Sequence, residues 1–588
     1  MPQLLLLLFP CYCYFRLSSA SLSRALWLAR SKADTLIINY SGRSFYMKKK
    51  YTALMLTVAI APSLLAGCQS SKDKAASSDS TVTSPSASAT ASVQGYDGKN
   101  NLKVSDTPVT ISLFYPFGAN GAPKGDMPVW QEAAKITNVT MKNIANASIT
   151  DDRQSFNTML SSGDLPDIIQ GFRTNINPVI SQGVFLPLDD LINQYAPNIK
   201  KFLADYPDAK RAGLGADGKM YTITGTLGGE PGKVLPSMGY FLRQDWLDKL
   251  GLKVPKTQDE YKKVLYAFRQ QDPNGNGKQD EIPFFYRNKG IGPLLQLWDA
   301  KEGWYIGKDD KVHHGKAEPE YRTALKELSQ WYKDGIIDPE IFTRGSQARQ
   351  FLLGNNLGGA TIDWFSSTAA VNDTAKAQVP AINFVAIAPP ADVTGKVKFN
   401  QTREPIHGYA WGISAKTKDP VTVIRYMDFF FSEKGERLVD FGLEGTHYKL
   451  ENNVPVPLPA ALTNPGGYPN FLRSIGAGYE IGSRGSLVGE LSGMNDIGKK
   501  GFTMYQDSDW LVKPFPVLSF TEAEKKTIDS AMANMTPFID EYEQKGLMAA
   551  QAIDATWDKH LEEMNKLNLQ IVLDAYNSAY ARFKLEAK

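Results

Sequence analysis

Cysteine is nearly absent: the 588 residues hold three, Cys11, Cys13 and Cys68. That excludes a disulfide framework and any Cys-based zinc cage, so the fold must rest on its apolar core. Histidine is scarce too: His313, His314, His407, His447 and His560 are all there are. None forms H-E-x-x-H and none accompanies a Ser nucleophile elbow, which removes the metalloprotease and serine-hydrolase signatures. Each is read as a surface or internally satisfied imidazole. An excess of one charge is missing as well, with 65 Lys and Arg against 62 Asp and Glu. There is thus no basic field of the kind that holds nucleic acid. No fixed-period repeat is present, and no catalytic carboxylate pair is marked by spacing alone.

What is present begins with Cys68. It ends Leu65-Ala66-Gly67-Cys68, behind an apolar run from Leu54 to Leu65 and the basic triplet Lys48–Lys50 that follows Met47. A positive start, a short apolar stretch and small residues before a cut make a secretory signal. The run is well short of the ~20 residues that span a bilayer. A cysteine directly after the small pair resembles the bacterial lipobox, so the mature chain is expected to start at a lipidated Cys68. Two or three acyl chains on one residue suffice for stable anchoring. Residues 47–67 are then the lipoprotein signal peptide. Residues 1–46 lie upstream of a better start at Met47 and are expected to be a mis-annotated extension. Eight basic residues and one acidic residue precede Cys68, leaving 57 against 61 and a formal charge of −4.

Residues 68–104, rich in Ser, Ala and Thr, have too few large apolar side chains to bury a core and read as a flexible tether. Val109, Ile111 and Leu113 then mark a strand, Pro128–Ile136 a helix and Val139–Ile144 a second strand. Asp167–Ile169 reads as another buried strand. This order predicts an α/β fold with a parallel sheet. Thr257 and Glu260 are spaced as a capping box before Tyr261, Val264, Leu265 and Phe268, one face of a helix. Thr521 and Glu524 repeat that spacing, and Trp557, Leu561 and Met564 share a stripe. About 520 mature residues exceed one core, so at least two lobes are expected.

The sharpest internal motif is Asp272-Pro-Asn274-Gly-Asn276-Gly277-Lys278-Gln-Asp280-Glu281. Asp272, Asn274 and Asn276 match positions 1, 3 and 5 of a calcium loop, Gly277 the tight turn and the Lys278 carbonyl position 7. The usual Glu at position 12 is replaced by Pro283, and Asp280 and Glu281 stand in for it. A structural Ca²⁺ is expected here. Gly213-Leu-Gly215-Ala-Asp-Gly218 matches G-x-G-x-x-G, but without a strand before it and a helix after it, and reads as a loop. Among aromatics in loop-like settings, Trp364, Trp411 and Trp298 are candidates for packing on sugar rings.

These pieces, together with Ser161–Ile169, Tyr240–Gly251, Pro255-Lys-Thr257 and Trp331–Pro339, resemble the long, lipoprotein-type members of the family 1 extracellular solute-binding proteins of carbohydrate ABC importers. The calcium loop is similar to that of the alginate-oligosaccharide-binding members, with Asp272, Asn274, Asn276, Lys278, Asp280 and Glu281 in the ligand positions. The resemblance implies a two-lobed periplasmic-binding-protein-like fold of type II, with crossing hinge segments and a helical C-terminus. One lobe would take 105–231 and 399–466, the other 232–398 and 467–588. It implies a monomeric receptor, anchored by lipid on the extracellular face of the cell membrane. Such a receptor captures an oligosaccharide in the interlobe cleft, without chemistry of its own, and delivers it to the permease. Trp364 and Trp411, then Trp298, Tyr240, Arg243 and Asp363, are the expected cleft residues. Two rival readings are a secreted calcium-containing polysaccharide-degrading enzyme and a structural surface lipoprotein.

Overall fold

The computed structural model describes residues 95–586 apart from 119–120, 227, 229–231, 465–466, 483–484 and 486. It also gives the backbone of an antiparallel strand pair, Thr35–Tyr40 with Arg43–Lys48. Cys68, the signal peptide from 49 onward and most of the tether lie outside the described residues.

Eight strands build two four-stranded sheets: β1 (Val109–Phe114), β2 (Val139–Asn143), β3 (Ile168–Phe172), β4 (Met238–Arg243), β5 (Ile282–Phe284), β6 (Gly358–Trp364), β7 (Phe384–Ile387) and β8 (Tyr409–Ile413). The first sheet has the order β8-β3-β1-β2, with β1 parallel to β2 and β3, and β8 antiparallel to β3. The second has the order β7-β4-β6-β5, in which β4 runs against both neighbours and only β5 and β6 are parallel. The expected parallel pairing is found for β1 with β2 and β3 and for β5 with β6. The antiparallel strands come from chain that returns after long excursions.

Local chemistry explains the elements. The helix Pro128–Thr137 opens on a proline, whose missing N–H costs nothing there, and stops at Asn138 in the left-handed region at φ 60°. Thr257 accepts from the Glu260 amide, while the Glu260 carboxylate accepts from Lys256 rather than from Thr257 itself, so that cap is only half a box. Behind it Tyr261, Val264, Leu265 and Phe268 are all buried. Thr521 and Glu524 make the full reciprocal box at the start of the 26-residue helix Glu522–Leu547. This helix and Ile553–Lys566 and Leu569–Glu586 form the helical C-terminus, packed on the helix Pro319–Lys333.

Two large apolar cores result. The first joins Ile111, Leu113, Trp130, Ile199, Phe202, Trp411 and Phe430 with Ile475, Ala477 and Ile481. A smaller cluster of Phe114, Phe156, Ile169 and Phe185 covers the opposite face of the same sheet, so β1 and β3 are buried on both faces, as parallel strands require. The second large core joins Tyr240, Trp246, Tyr261, Phe268, Trp331, Phe384, Phe399, Phe502, Tyr505 and Trp557. Each fully buried side chain of this size contributes about 1.5–3 kcal/mol.

Candidate functional site

The chain passes between the two cores three times, and the crossings are tied together. His407 N–H donates to the Gly225 carbonyl, Arg403 N–H to Leu235 and Ser237 N–H to Gln401, an antiparallel pairing of 225–237 with 401–407. The Thr224 hydroxyl donates to the His407 and Tyr409 carbonyls at 3.1 and 2.6 Å. The third passage runs beside the first, with Gly485 N–H donating to the Thr226 carbonyl. It leads into the helix Leu487–Ser492, whose Glu490 pairs with Arg403 at 2.7 Å.

At this junction lies a cavity of about 140 Å³, lined by Thr226, His407, Tyr409, Trp411, Asp440, Glu480 and the glycines around them. It sits at the start of β8, beside the C-terminal end of its partner β3, where Tyr409 faces Phe172 with ring centres 4.1 Å apart. Open α/β sheets take ligands at that end. Thr226 is 2% exposed, yet its hydroxyl has no partner. His407 Nδ1 is likewise buried and unpaired, and burial holds that imidazole below its ordinary pKa. Tyr115 donates to Glu480 Oε2 at 2.6 Å, and Gln170 Nε2 donates to the Glu480 carbonyl at 2.7 Å. His407 is thus not the satisfied imidazole the sequence suggested. No local motif announces Thr226 or Glu480, because each acquires its role from a crossing segment far away in sequence.

The six expected cleft residues do not gather. Tyr240 is fully buried; its hydroxyl accepts from Gln296 Nε2 and its ring edge meets Tyr261. Trp298 packs edge-on against Trp331 at 5.6 Å, and Trp411 lies against Phe430 and Phe431 in the first core. Arg243 is 1% exposed. It donates to both oxygens of Asp245 and to Asn356, with its guanidinium over Trp246. Tyr240, Trp298 and Arg243 are packing residues, whereas Trp411 packs on the first core and also lines the cavity at the crossings. Apolar neighbours fill the space around Tyr240 and Trp298, Phe430 and Phe431 take up the Trp411 face, and Asp245 takes up the charge of Arg243. Asp363 is also fully buried, with Arg349 Nη1 donating to Oδ2 at 2.9 Å and Arg287 Nε standing 3.1 Å from Oδ1. Trp364, at the end of β6, is only half-buried and keeps a face to offer.

The loop Asp272–Glu281 is folded on itself. Asp272 accepts from the amides of Gly275, Asn276 and Gly277, which hold its carboxyl below the usual range. Gly277 turns the chain at φ 75°, a conformation that favours glycine. The side-chain amides of Asn274 and Asn276 donate to Asp280. Glu281 is fully buried with neither carboxylate oxygen paired. Burial pushes its pKa up; Asp272 and Asp280 add to that, while the amides of Glu281 and Asn274 oppose it. Among the described residues no three His, Cys, Asp or Glu side chains are gathered as a metal cage. The donor set nevertheless suits a hard cation: the loop carries three carboxylates, that of Glu281 is unpaired, and each Asn carries an oxygen opposite its NH₂.

Residues 116–437 match the family of bacterial extracellular solute-binding proteins. The chain belongs to that family. A crystal structure of the alginate-binding protein AlgQ2 without calcium ion is 33% identical, with a TM-score of 0.74 over 82% of this chain and 100% of that one. The fructooligosaccharide ABC transporter substrate-binding protein FusA of Streptococcus pneumoniae is 34% identical over 207 residues. That alignment covers 33% of this chain and spans 38% of FusA. The structure of a FusA EF-hand mutant in complex with fructo-nystose shares the fold, with a TM-score of 0.65 at 22% identity over 82% of this chain and 100% of that one. This solute-binding protein therefore has the two-lobed architecture expected from its motifs, and its relatives are binding proteins of sugar importers. Among the described residues no helix is long and apolar enough to cross a membrane.

Proposed function

We propose that this chain is a lipid-anchored receptor on the outer face of the cell membrane. It captures an oligosaccharide between two hinged lobes and passes it, unaltered, to the permease of an ABC importer. The observation that carries this reading is the pair of separate cores joined by three mutually bonded crossings. A sugar touching both lobes favours the closed arrangement by its differential affinity, and closure is what a permease can read. The first lobe takes 105–231 and 399 to about 481, and the second 232–398 and about 488–588. The packing of Ile475, Ala477 and Ile481 on the first core moves the third crossing to about 482–487. Trp364 is the aromatic that meets the sugar from the second lobe. The protein acts as a monomer.

Calcium is the resident ion of the 272–281 loop, held by Asp272, Asn274, Asn276, the Lys278 carbonyl, Asp280 and Glu281. It supplies charge neutralisation and no chemistry. The buried, unpaired Glu281 carboxylate supports this, because an uncompensated buried charge is costly unless paired or bound to a metal.

The test has three readouts on the full chain. A panel of oligosaccharides should give a saturable thermal shift, and small-angle scattering with the stabilising sugar should show a smaller radius of gyration. Reducing-sugar release would favour the degrading-enzyme reading instead. Palmitate labelling in cells should vanish in Cys68→Ser; persistent labelling would remove the anchor.

A further inference from the structure

We infer that the cavity at the crossings is a subsite for one neutral, hydroxyl-rich sugar unit, with Glu480 as its principal acceptor, and that uronate units are rejected there. The inference rests on the carbohydrate-binding reading above and narrows it to one substrate class.

The cavity has room for more than solvent. Its 140 Å³ is far beyond the 10–15 Å³ or so that one water needs. Its polar groups are unspent. The Thr226 hydroxyl and His407 Nδ1 are buried and unpaired. Glu480 Oε2 is engaged by Tyr115, and Oε1 has no protein partner among the described residues. Buried polar atoms are almost always paired in native proteins, so a cluster of unpaired ones facing one cavity marks a ligand that pairs them. A hydroxyl, which both donates and accepts, satisfies all three kinds of group: it donates to a carboxylate, and gives to or takes from a hydroxyl and a neutral imidazole. Tyr409, half-buried and lying against Phe172, supplies a flat face beside them.

The surrounding charge selects against anions. Glu480 and Asp440 line the cavity, and Asp152 and Glu480 both act on the Tyr409 hydroxyl. Arg473 is the cation that acts on that hydroxyl. Arg173 is nearby, its amide donating to the Gly408 carbonyl; burial lowers its pKa, with Glu404 opposing. Burial lowers the pKa of His407, with Glu480 opposing. Among the described residues a uronate carboxylate here would face Glu480, Asp440 and Asp152, which outnumber the cations Arg473 and Arg173, and like-charge juxtaposition discriminates strongly.

Calorimetric titration of the full chain tests this with kestose, cellotriose, xylotriose and mannotriose as neutral probes and trigalacturonate and trimannuronate as anionic ones. A neutral probe should bind, with the anionic probes at least about 100-fold weaker. Glu480→Gln should weaken the neutral probe by roughly 10–100-fold, the range for losing a hydrogen bond to a charged acceptor. Thr226→Val, which keeps the shape and removes the hydroxyl, should weaken it several-fold at unchanged melting temperature, and remains informative if Glu480→Gln fails to fold. An anionic probe binding as tightly as the neutral ones would overturn the inference. So would both variants binding the neutral probe within threefold of the unsubstituted protein. Silence from every probe would instead bring down the carbohydrate reading itself.

Discussion

Asp428 offers the cleanest test of how the first lobe is held together. It is fully buried and accepts three hydrogen bonds, each 2.8 Å: from the Tyr96 hydroxyl, from Asn198 Nδ2 and from the Ile199 amide. One carboxylate thus ties the segment at Tyr96 to the first turn of the helix Pro197–Asp205 and to the helix Pro420–Phe429 that carries Asp428 itself. Burial nevertheless wins over the three donors, and the carboxyl is pushed up to about 6. A carboxyl whose folded pKa lies above its unfolded value of 3.8 stabilises the fold most below pH 3.8, and that contribution is lost as pH rises through 6. The difference of roughly two units corresponds to about 3 kcal/mol. His314, in the second lobe, works the other way. Burial drops it to about 4, so its contribution is present above its unfolded pKa of 6.5 and is lost as pH falls through 4, with a similar magnitude. Between pH 4 and 6 the two largely cancel in the sum, but not lobe by lobe. Scanning calorimetry from pH 4 to 7 should therefore show the first-lobe transition of Asp428→Asn losing the downward slope that the unsubstituted protein carries, relative to its own value at pH 4. Comparing variant with parent removes the other titrating groups. Parallel pH profiles for the two proteins would refute the assignment of the slope to Asp428.

Two further tests are simpler. Chelation of the full chain should lower the melting temperature and added calcium restore it, by mass action on the folded state; in Glu281→Gln the calcium-dependent part should shrink to near zero, measured by thermal scanning. Thr521→Ala removes the N-cap of the long C-terminal helix and its reciprocal partner at Glu524, which should cost about 1 kcal/mol by urea titration, whereas a cost within error would show that the cap is not limiting there.

The elements legible in the sequence are those whose cause is local. The strand at Val109, the helix that starts at Pro128, the cap at Thr521 and the oxygen-bearing loop from Asp272 each declare themselves within a dozen residues, because period, capping and turn chemistry act over that range. The aromatics could not be sorted in the same way. Trp411 lies within β8 and Trp364 ends β6, yet one is packed against Phe430 and Phe431 and the other is half-open. What separates them is whether a later helix happens to cover the face. Arg243 was expected in the cleft from the resemblance; only the fold shows it locked to Asp245, two residues on, over Trp246. The cavity residues were missed for the same reason. Thr226, His407 and Glu480 are ordinary in their own segments, and their juxtaposition is made by three passages of chain more than 70 residues apart.

Asp363 shows how a residue expected to meet ligand can instead prepare the residue beside it. Its carboxylate is fully buried, accepts from the Trp364 amide and from Arg349, and stands against Arg287. Arg349 also donates to Ser367 and Thr368, so the end of β6 and the helix after it are clamped to one guanidinium. Burial pulls Arg349 below its ordinary pKa and Arg287 adds to this, while Asp363 opposes both. Replacing Asp363 by Asn leaves two partly buried guanidinium groups facing a neutral acceptor, and removing one partner of a buried pair costs about 3–5 kcal/mol. Asp363→Asn should therefore destabilise the second lobe by an amount in that range, measured by calorimetry, and a second change, Arg349→Met, should recover part of it. A double variant whose loss equals the sum of the two single losses would mean that the pair is not coupled. Trp364 would then owe its orientation to packing alone.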